Sequence, residues 1–225
     1  MIPNNIILTW KDHTVPSYVF DNIKSLNPDK EIIFFEDKDC KKFFRENYPK
    51  EFEEHFDREQ SGCSKADFFR YAYLYKNGGY YTDIDIEYTT PISEFLPDNL
   101  EYFSIISALF NTHIFQAILY TRPNHDIIKN CLNDILEYGP NFENYPGGYK
   151  NEPPYIGSTT ERMYQNFIKY YNVNDPSKAS LGREVNTQGR YACVYNHRII
   201  AWSRYETFNR ECFTDWKERS EERRV

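Results

Sequence analysis

Polar and apolar positions alternate between two periods along this chain. "NNIILTW" (4–10) is a short apolar run bounded by Pro3 and Lys11, and predicts a first strand. Residues 15–28 place Val19, Ile23 and Leu26 at helical spacing and stop at Asn27–Pro28. "KEIIFFED" (30–37) predicts a second strand, and residues 37–49 a helix that ends before Pro49. Such a β-α-β-α beginning predicts an α/β fold with a largely parallel sheet. Residues 50–62 are charged and weakly periodic, compatible with helix or loop. The clearest helix covers 64–79, with Ser64 as N-cap, Asp67 at the third helical position and Gly78–Gly79 as the stop.

A strand is expected over 80–88, then strands over 102–110 and 113–121, an amphipathic helix over 124–139, an extended loop over 140–157 and a helix over 158–171. Another loop runs to about 190, and 191–203 reads as a strand or strand pair. With no internal repeat and no linker, the expectation is a single domain over 1–215 and a charged tail over 216–225.

One stretch resists the apolar pattern. "GGYYTDIDIEY" (78–88) puts Asp83, Asp85 and Glu87 at every second position of the expected strand, hence on one face. Like charges that close need water, basic neighbours or a cation. Two carboxylates two residues apart can jointly hold a hard divalent ion such as Mn²⁺ or Mg²⁺, and with it a diphosphate. A solvated strand edge would explain a lone D-x-D equally well. The preceding helix changes the balance. It carries Asp67 and Arg70 three residues apart, neighbours on one face near its N-terminus, and the Gly-Gly turn leads straight into the acidic strand.

Composition narrows the alternatives. A net charge of −7 disfavours a general nucleic-acid surface. The 20 Tyr, 17 Phe and 3 Trp fit either a packed aromatic core or a carbohydrate-binding surface. Five cysteines without a CxxC pair argue against a disulfide framework or zinc site and for reduced thiols in a cytoplasmic protein. The N-terminus lacks a signal peptide's basic region, and no stretch reaches the length of a membrane helix.

"SKADFFRYAYLYKNGGYYTDIDIEY" resembles the DxD region of the family 32 glycosyltransferases, the Och1-like mannosyltransferases, and the related region of the clostridial glucosylating toxins. The matching positions are Lys65, Asp67, Arg70, Leu74, Gly78, Gly79, Tyr81, Asp83 and Asp85. "IPNNIILTWKDHTVP" is similar to the family's opening, and the resemblance runs well over 2–96. It implies a GT-A fold, a Rossmann-like mixed sheet flanked by helices that binds a nucleoside-diphosphate sugar. It also implies Thr9, Trp10, Asp67, Arg70, Tyr81 and Asp83 on the donor, Asp83, Asp85 and Arg70 in catalysis, and Mn²⁺ or Mg²⁺ on Asp83 and Asp85. His197, in "NHRIIAWS", is either a further metal ligand or a structural residue. Trp10 would otherwise be read as a core residue at the end of strand one. Ser158 and Thr159 are candidates on the acceptor side.

The family's histidine near position 8 is missing, since Leu8 stands there. His13, His55, His113 and His125 show no ligand spacing and read as surface or structural. The expected activity is transfer from a UDP-sugar, rather than a GDP-sugar, to a glycan, lipid-linked sugar or glycoprotein, with retention and front-side attack, as in polysaccharide biosynthesis. The competing readings are a non-catalytic nucleotide-sugar-binding protein on the same fold and, more remotely, a haloacid-dehalogenase-type phosphatase, which also uses D-x-D but near its N-terminus.

Overall fold

The computed structural model describes residues 2–59, 61–138 and 159–204. Strand β1 (Asn5–Trp10) lies between two parallel neighbours, β2 (Glu31–Glu36) and β3 (Gly79–Thr82). Its Ile6, Ile7 and Leu8 are fully buried. A strand covered on both faces reads as an unbroken apolar run, which is why "IIL" shows no alternation. Helices α1 (Ser17–Leu26), α2 (Asp37–Asn47), α3 (Lys50–Arg58) and α4 (Gly62–Asn77) fill the first half of the chain. After β3 come β4 (Ile86–Tyr88), the one-turn α5 (Ile92–Phe95), β5 (Tyr102–Ile106), β6 (Ile114–Thr121), α6 (Asp126–Tyr138), α7 (Thr159–Val173), a 3-10 turn at Pro176–Lys178, and strands β7 (Ala179–Thr187), β8 (Arg190–Tyr195) and β9 (Arg198–Ser203).

The strands form one mixed sheet in the order β2-β1-β3-β6-β5-β7-β8-β9-β4. β3 stands near one edge and β4 at the other, yet only Asp83, Ile84 and Asp85 join them. The sheet therefore curls until its far edge returns beside β3. One face packs the aromatic side of α2, α3 and α4 (Phe44, Phe56, Phe68 and Phe69) together with α6 and α7. Val19 and Ile23 of α1, with Phe95, Phe103 and Tyr120, fill the other. Two α1 and post-α1 amides pin the returning edge: Asn22 brackets Tyr88 through its backbone N–H and C=O (2.9 and 3.0 Å), and Asn27 Oδ1 accepts the Ile92 N–H at 2.9 Å.

Four expectations change. The strand expected at 80–88 is two strands with a turn at the D-x-D, so Asp83, Asp85 and Glu87 do not share one sheet face. Ile84, Ile86 and Tyr88 must all be buried where the sheet folds back, and a turn achieves that. Helix α4 starts two residues early, on Ser61, whose Oγ accepts the Ser64 N–H at 3.4 Å; Asp67 thus sits in the second turn, not at the third position. Residues 179–187, expected as loop, form β7. His197 lies in the β8–β9 turn, with φ 63°, at the end of β9 away from Ser203 and Asp85. Six residues of strand separate it from that end, about 20 Å, so it is not a ligand of a D-x-D ion. The expected loop 140–157, Ser158 and the tail 216–225 lie outside the described residues.

Gly78–Gly79 do end α4, as expected. A Cβ at Gly78 (φ 65°) would come within 2.7 Å of the Pro123 ring and 2.9 Å of the Thr121 carbonyl, so only glycine lets β3 start this close to β6.

Candidate active site

Parallel β1 and β3 end on the same edge of the sheet, where open α/β sheets bind ligands. Their register pairs Ile7 with Tyr81, which puts Thr9 level with Asp83. Asp83 begins the turn: its N–H donates to the Ala117 carbonyl of β6 (2.9 Å) and its C=O accepts from Ile86 N–H (3.3 Å). Asp85 is held through its carbonyl, which accepts the Arg204 N–H at 2.7 Å. Both ends of the D-x-D backbone are thereby fixed by strands far away in sequence.

Arg70 reaches this turn from α4. It is 5% exposed and every arm of its fork is used. Nε donates to the Ala66 carbonyl (3.3 Å), Nη1 to the Gln116 carbonyl (2.9 Å) and Nη2 to Asp83 Oδ1 (3.1 Å), with Asp67 Oδ1 at 3.4 Å. Its guanidinium lies over the Tyr81 ring, 4.3 Å from the centroid. Burial works against the charge, but Asp83, Tyr81 and Asp67 more than offset it and hold the Arg70 pKa above its ordinary value. Tyr81 OH donates to Asp83 Oδ1 at 2.8 Å and meets Thr9 Oγ1 at 3.4 Å. Thr9, Asp67, Arg70, Tyr81 and Asp83 thus form one connected polar network.

Asp85 differs from Asp83. Its Oδ1 is buried and has no hydrogen-bond partner among the described residues. Burial first, then the charge of Asp83, pushes its pKa up; Glu184 adds to this and Arg70 opposes it. Asp67 is also raised by burial, although Arg70 pulls it down and Thr159 Oγ1 donates it a short hydrogen bond. An unpartnered carboxylate oxygen beside a second carboxylate is poorly placed as a structural group. It is well placed to accept a cation.

Three further residues belong to this region. Gln116 is 4% exposed, and neither atom of its amide has a hydrogen-bond partner among the described residues. It is the only polar side chain within "IFQAIL", a signal the sequence did carry. Thr159 anchors the start of α7 on Asp67. Glu184, raised by burial, accepts the Ala108 N–H at 3.0 Å and had no motif to mark it. Trp10 is half-buried at the end of β1, packed against the core that Val19 and Ile23 of α1 share with Phe95, Phe103 and Tyr120. Among the described residues no group of three His, Cys, Asp or Glu side chains is arranged to hold a metal unaided. His113 and His125 are buried, and His13 contacts Glu36.

Known proteins resemble this chain in sequence and in fold. Residues 15–102 match the family model described as "Glycosyltransferase sugar-binding region containing DXD motif". An uncharacterised glycosyltransferase of Acanthamoeba polyphaga mimivirus is 26% identical over 184 residues, covering 79% of this chain and 68% of the relative. Inositol phosphoceramide mannosyltransferase 3 of Schizosaccharomyces pombe is 35% identical over 88 residues, 38% of this chain but only 24% of the relative. Among solved structures, the PaToxG glycosyltransferase superposes with a TM-score of 0.50 at 16% identity, covering 78% of this chain and 71% of that one, a likeness of fold. Residues 15–102 thus match the glycosyltransferase sugar-binding region that contains a DXD motif, and the chain has the GT-A fold of its structural neighbour.

Proposed function

We propose that this chain transfers a sugar from a nucleoside-diphosphate sugar to a hydroxyl of a glycan, lipid-linked sugar or glycoprotein, in a metal-dependent reaction at the D-x-D turn. The observation that carries this reading is the unpartnered, buried Asp85 Oδ1 next to Asp83, at the strand ends where Arg70 is also held. The residues fit a hard divalent cation, Mn²⁺ or Mg²⁺, with Asp83 and Asp85 supplying carboxylate oxygens and the donor's diphosphate and water the rest. When bound, such an ion neutralises charge on the departing diphosphate.

The chain's own residues do the remaining work. Trp10 and Thr9, at the end of β1, receive the nucleoside. Tyr81 holds Asp83 in one orientation through its hydroxyl. Arg70, fixed on the Ala66 and Gln116 carbonyls, keeps a positive charge beside the sugar–phosphate bond without reorganising. Asp67 and the orphaned Gln116 amide offer hydrogen-bond partners to the sugar hydroxyls. Asp67 is engaged by Thr159, Asp83 by Arg70 and Tyr81, and Asp85 is assigned to the cation, so no carboxylate is assigned as nucleophile; with the retention that the resemblance implies, this favours front-side attack. The resemblance to the glucosylating toxins favours UDP over GDP.

A thermal-shift panel tests the reading. UDP, GDP and their common sugars are added with and without Mn²⁺ to wild type and to Asp85→Asn. Ligand at 100 times its dissociation constant stabilises by about 2.7 kcal/mol, a shift of several degrees. The expected result is one nucleotide whose shift needs Mn²⁺ and vanishes in Asp85→Asn. Mn²⁺-independent binding, or binding unchanged in the variant, would refute the D-x-D role. Slow donor hydrolysis by the wild type separates an enzyme from a non-catalytic binder.

A further inference from the structure

A cleft of about 520 Å³ opens at the end of the strands opposite the D-x-D turn. Its floor is the start of β7, where Ala179 pairs with Tyr102 at the start of β5. β5 runs parallel to β3, because both are antiparallel to β6. The cleft is therefore at the strand beginnings, while the D-x-D follows a strand end. That volume is in the range of small-molecule sites.

The walls are aromatic and fixed. Phe167 and Tyr171, one turn apart on α7, stack at 5.5 Å with 28° between their planes, and the outer ring, Tyr171, is 42% exposed. Across the cleft Tyr195 is packed edge-on to Phe103 at 4.9 Å, and its hydroxyl accepts from Ser180 Oγ at 3.0 Å. Ser177 is set in the 3-10 turn by Asp175, whose Oδ1 accepts the Ser177 N–H at 2.9 Å. Lys178 closes the rim by donating to the Asn99 carbonyl at 3.5 Å. Among the described residues, none of those lining the cleft is charged, in a chain with 27% charged residues.

A neutral cleft with flat aromatic faces and a few hydroxyl and amide groups discriminates by chemistry. Its lining offers phosphates and carboxylates no counter-charge, and Lys178 at the rim donates to the Asn99 carbonyl instead. It suits a molecule with apolar C–H faces and hydroxyl edges. We propose that this cleft is a second saccharide site, for a short neutral glycan, stacked on Tyr171 and hydrogen-bonded by Ser177, Asn99 and the Tyr195 hydroxyl. It is separate from the D-x-D site and does not depend on the transfer reading.

Saturation-transfer NMR with mannotriose, maltotriose, cellotriose and chitotriose tests it on the full chain. At least one trisaccharide should receive saturation from the wild type and from Asp85→Asn alike. Tyr171→Ala, a change at an exposed ring, should weaken that binding about tenfold with an unchanged melting temperature. Tyr195→Phe, which keeps the ring and its packing, should weaken the same binding more modestly and serves if the alanine variant does not fold. No saturation from any of the four sugars overturns the proposal. So does binding that survives both tyrosine variants, or that disappears in Asp85→Asn and so belongs to the D-x-D site. Binding of a proline-rich peptide, with none of the sugars bound, would assign the cleft to a protein partner and overturn it too.

Discussion

At the scale of single residues, Asp85 and Arg70 sit in one site and predict opposite responses. Arg70 is a satisfied buried cation; removing it strands the Gln116 carbonyl and two carboxylates. Arg70→Met is expected to destabilise by about 3–5 kcal/mol, the usual result of breaking a buried pair from one side. Arg70→Lys keeps the charge but not the fork, and should still lose about 1–3 kcal/mol through the unpartnered carbonyl. Asp85 carries a carboxylate oxygen that none of the described residues satisfies, under repulsion from Asp83. Asp85→Asn should therefore raise the metal-free melting temperature while abolishing Mn²⁺-dependent nucleotide binding, as expected where function is placed above stability. Urea titration of the three variants, metal-free and at neutral pH, checks the stabilities, and the thermal-shift panel checks the binding; an Asp85→Asn less stable than wild type would refute the frustrated-carboxylate account. The sequence displayed these residues because a long spaced pattern of Asp, Arg, Gly and Tyr is a chemical signal. It could not display the Gln116 amide's lack of partners, which exists only once β6 lies against α4.

At the scale of elements, the hydrophobic pattern was legible where burial uses apolar side chains and illegible where it does not. β1, β2 and α6 announce themselves by Ile, Leu and Phe at the right spacing. β7 hides because two of its buried positions, Gly182 and Glu184, carry no hydrophobic signal. Gly182 is buried for lack of space: a Cβ there would come within 2.6 Å of Ile105 Cδ1 and 2.9 Å of the Val194 carbonyl. The ile side chain can turn away, but the carbonyl belongs to the β7–β8 ladder and cannot. Gly182→Ala is expected to cost about 1–3 kcal/mol by overpacking. A chemical-denaturation midpoint equal to wild type's would show that β7 stands further from β8 than described. The D-x-D strand failed as a single element for a related reason. Alternation of Ile and Asp also fits a turn that keeps each isoleucine in a core, and only the curl of the sheet decides between them.

At the scale of the whole molecule, the sheet order joins segments distant in sequence, and local periodicity cannot encode it. Its consequence for global stability runs through His125, which the sequence marked only as surface or structural. His125 is fully buried between the rings of Tyr102 and Tyr170, at 5.5 and 4.7 Å. Its Nδ1 accepts the Ile127 N–H at 3.3 Å, so the ring is held neutral; a second proton would face that N–H directly. Burial, with the charge of Arg122 and against those of Glu101 and Asp126, lowers its pKa to about 4. The unfolded chain's histidine has an ordinary value near 6.5.

Below about pH 6.5 the unfolded state thus binds a proton the folded state refuses. Stability from this group is complete above that pH and is lost as pH falls towards 4, by about 3 kcal/mol. Buried carboxylates raised in pKa, among them Asp67, Asp134 and Glu184, act in the opposite sense, so the wild-type curve alone does not isolate the histidine. His125→Asn does, because an asparagine oxygen can still accept the Ile127 N–H at the head of α6. Urea unfolding of both proteins from pH 4 to 7 should show their difference in stability shrinking or reversing on acidification. Parallel curves across that range would mean that His125 takes up its proton in the folded state and that the packing around Tyr102 and Tyr170 opens to admit it.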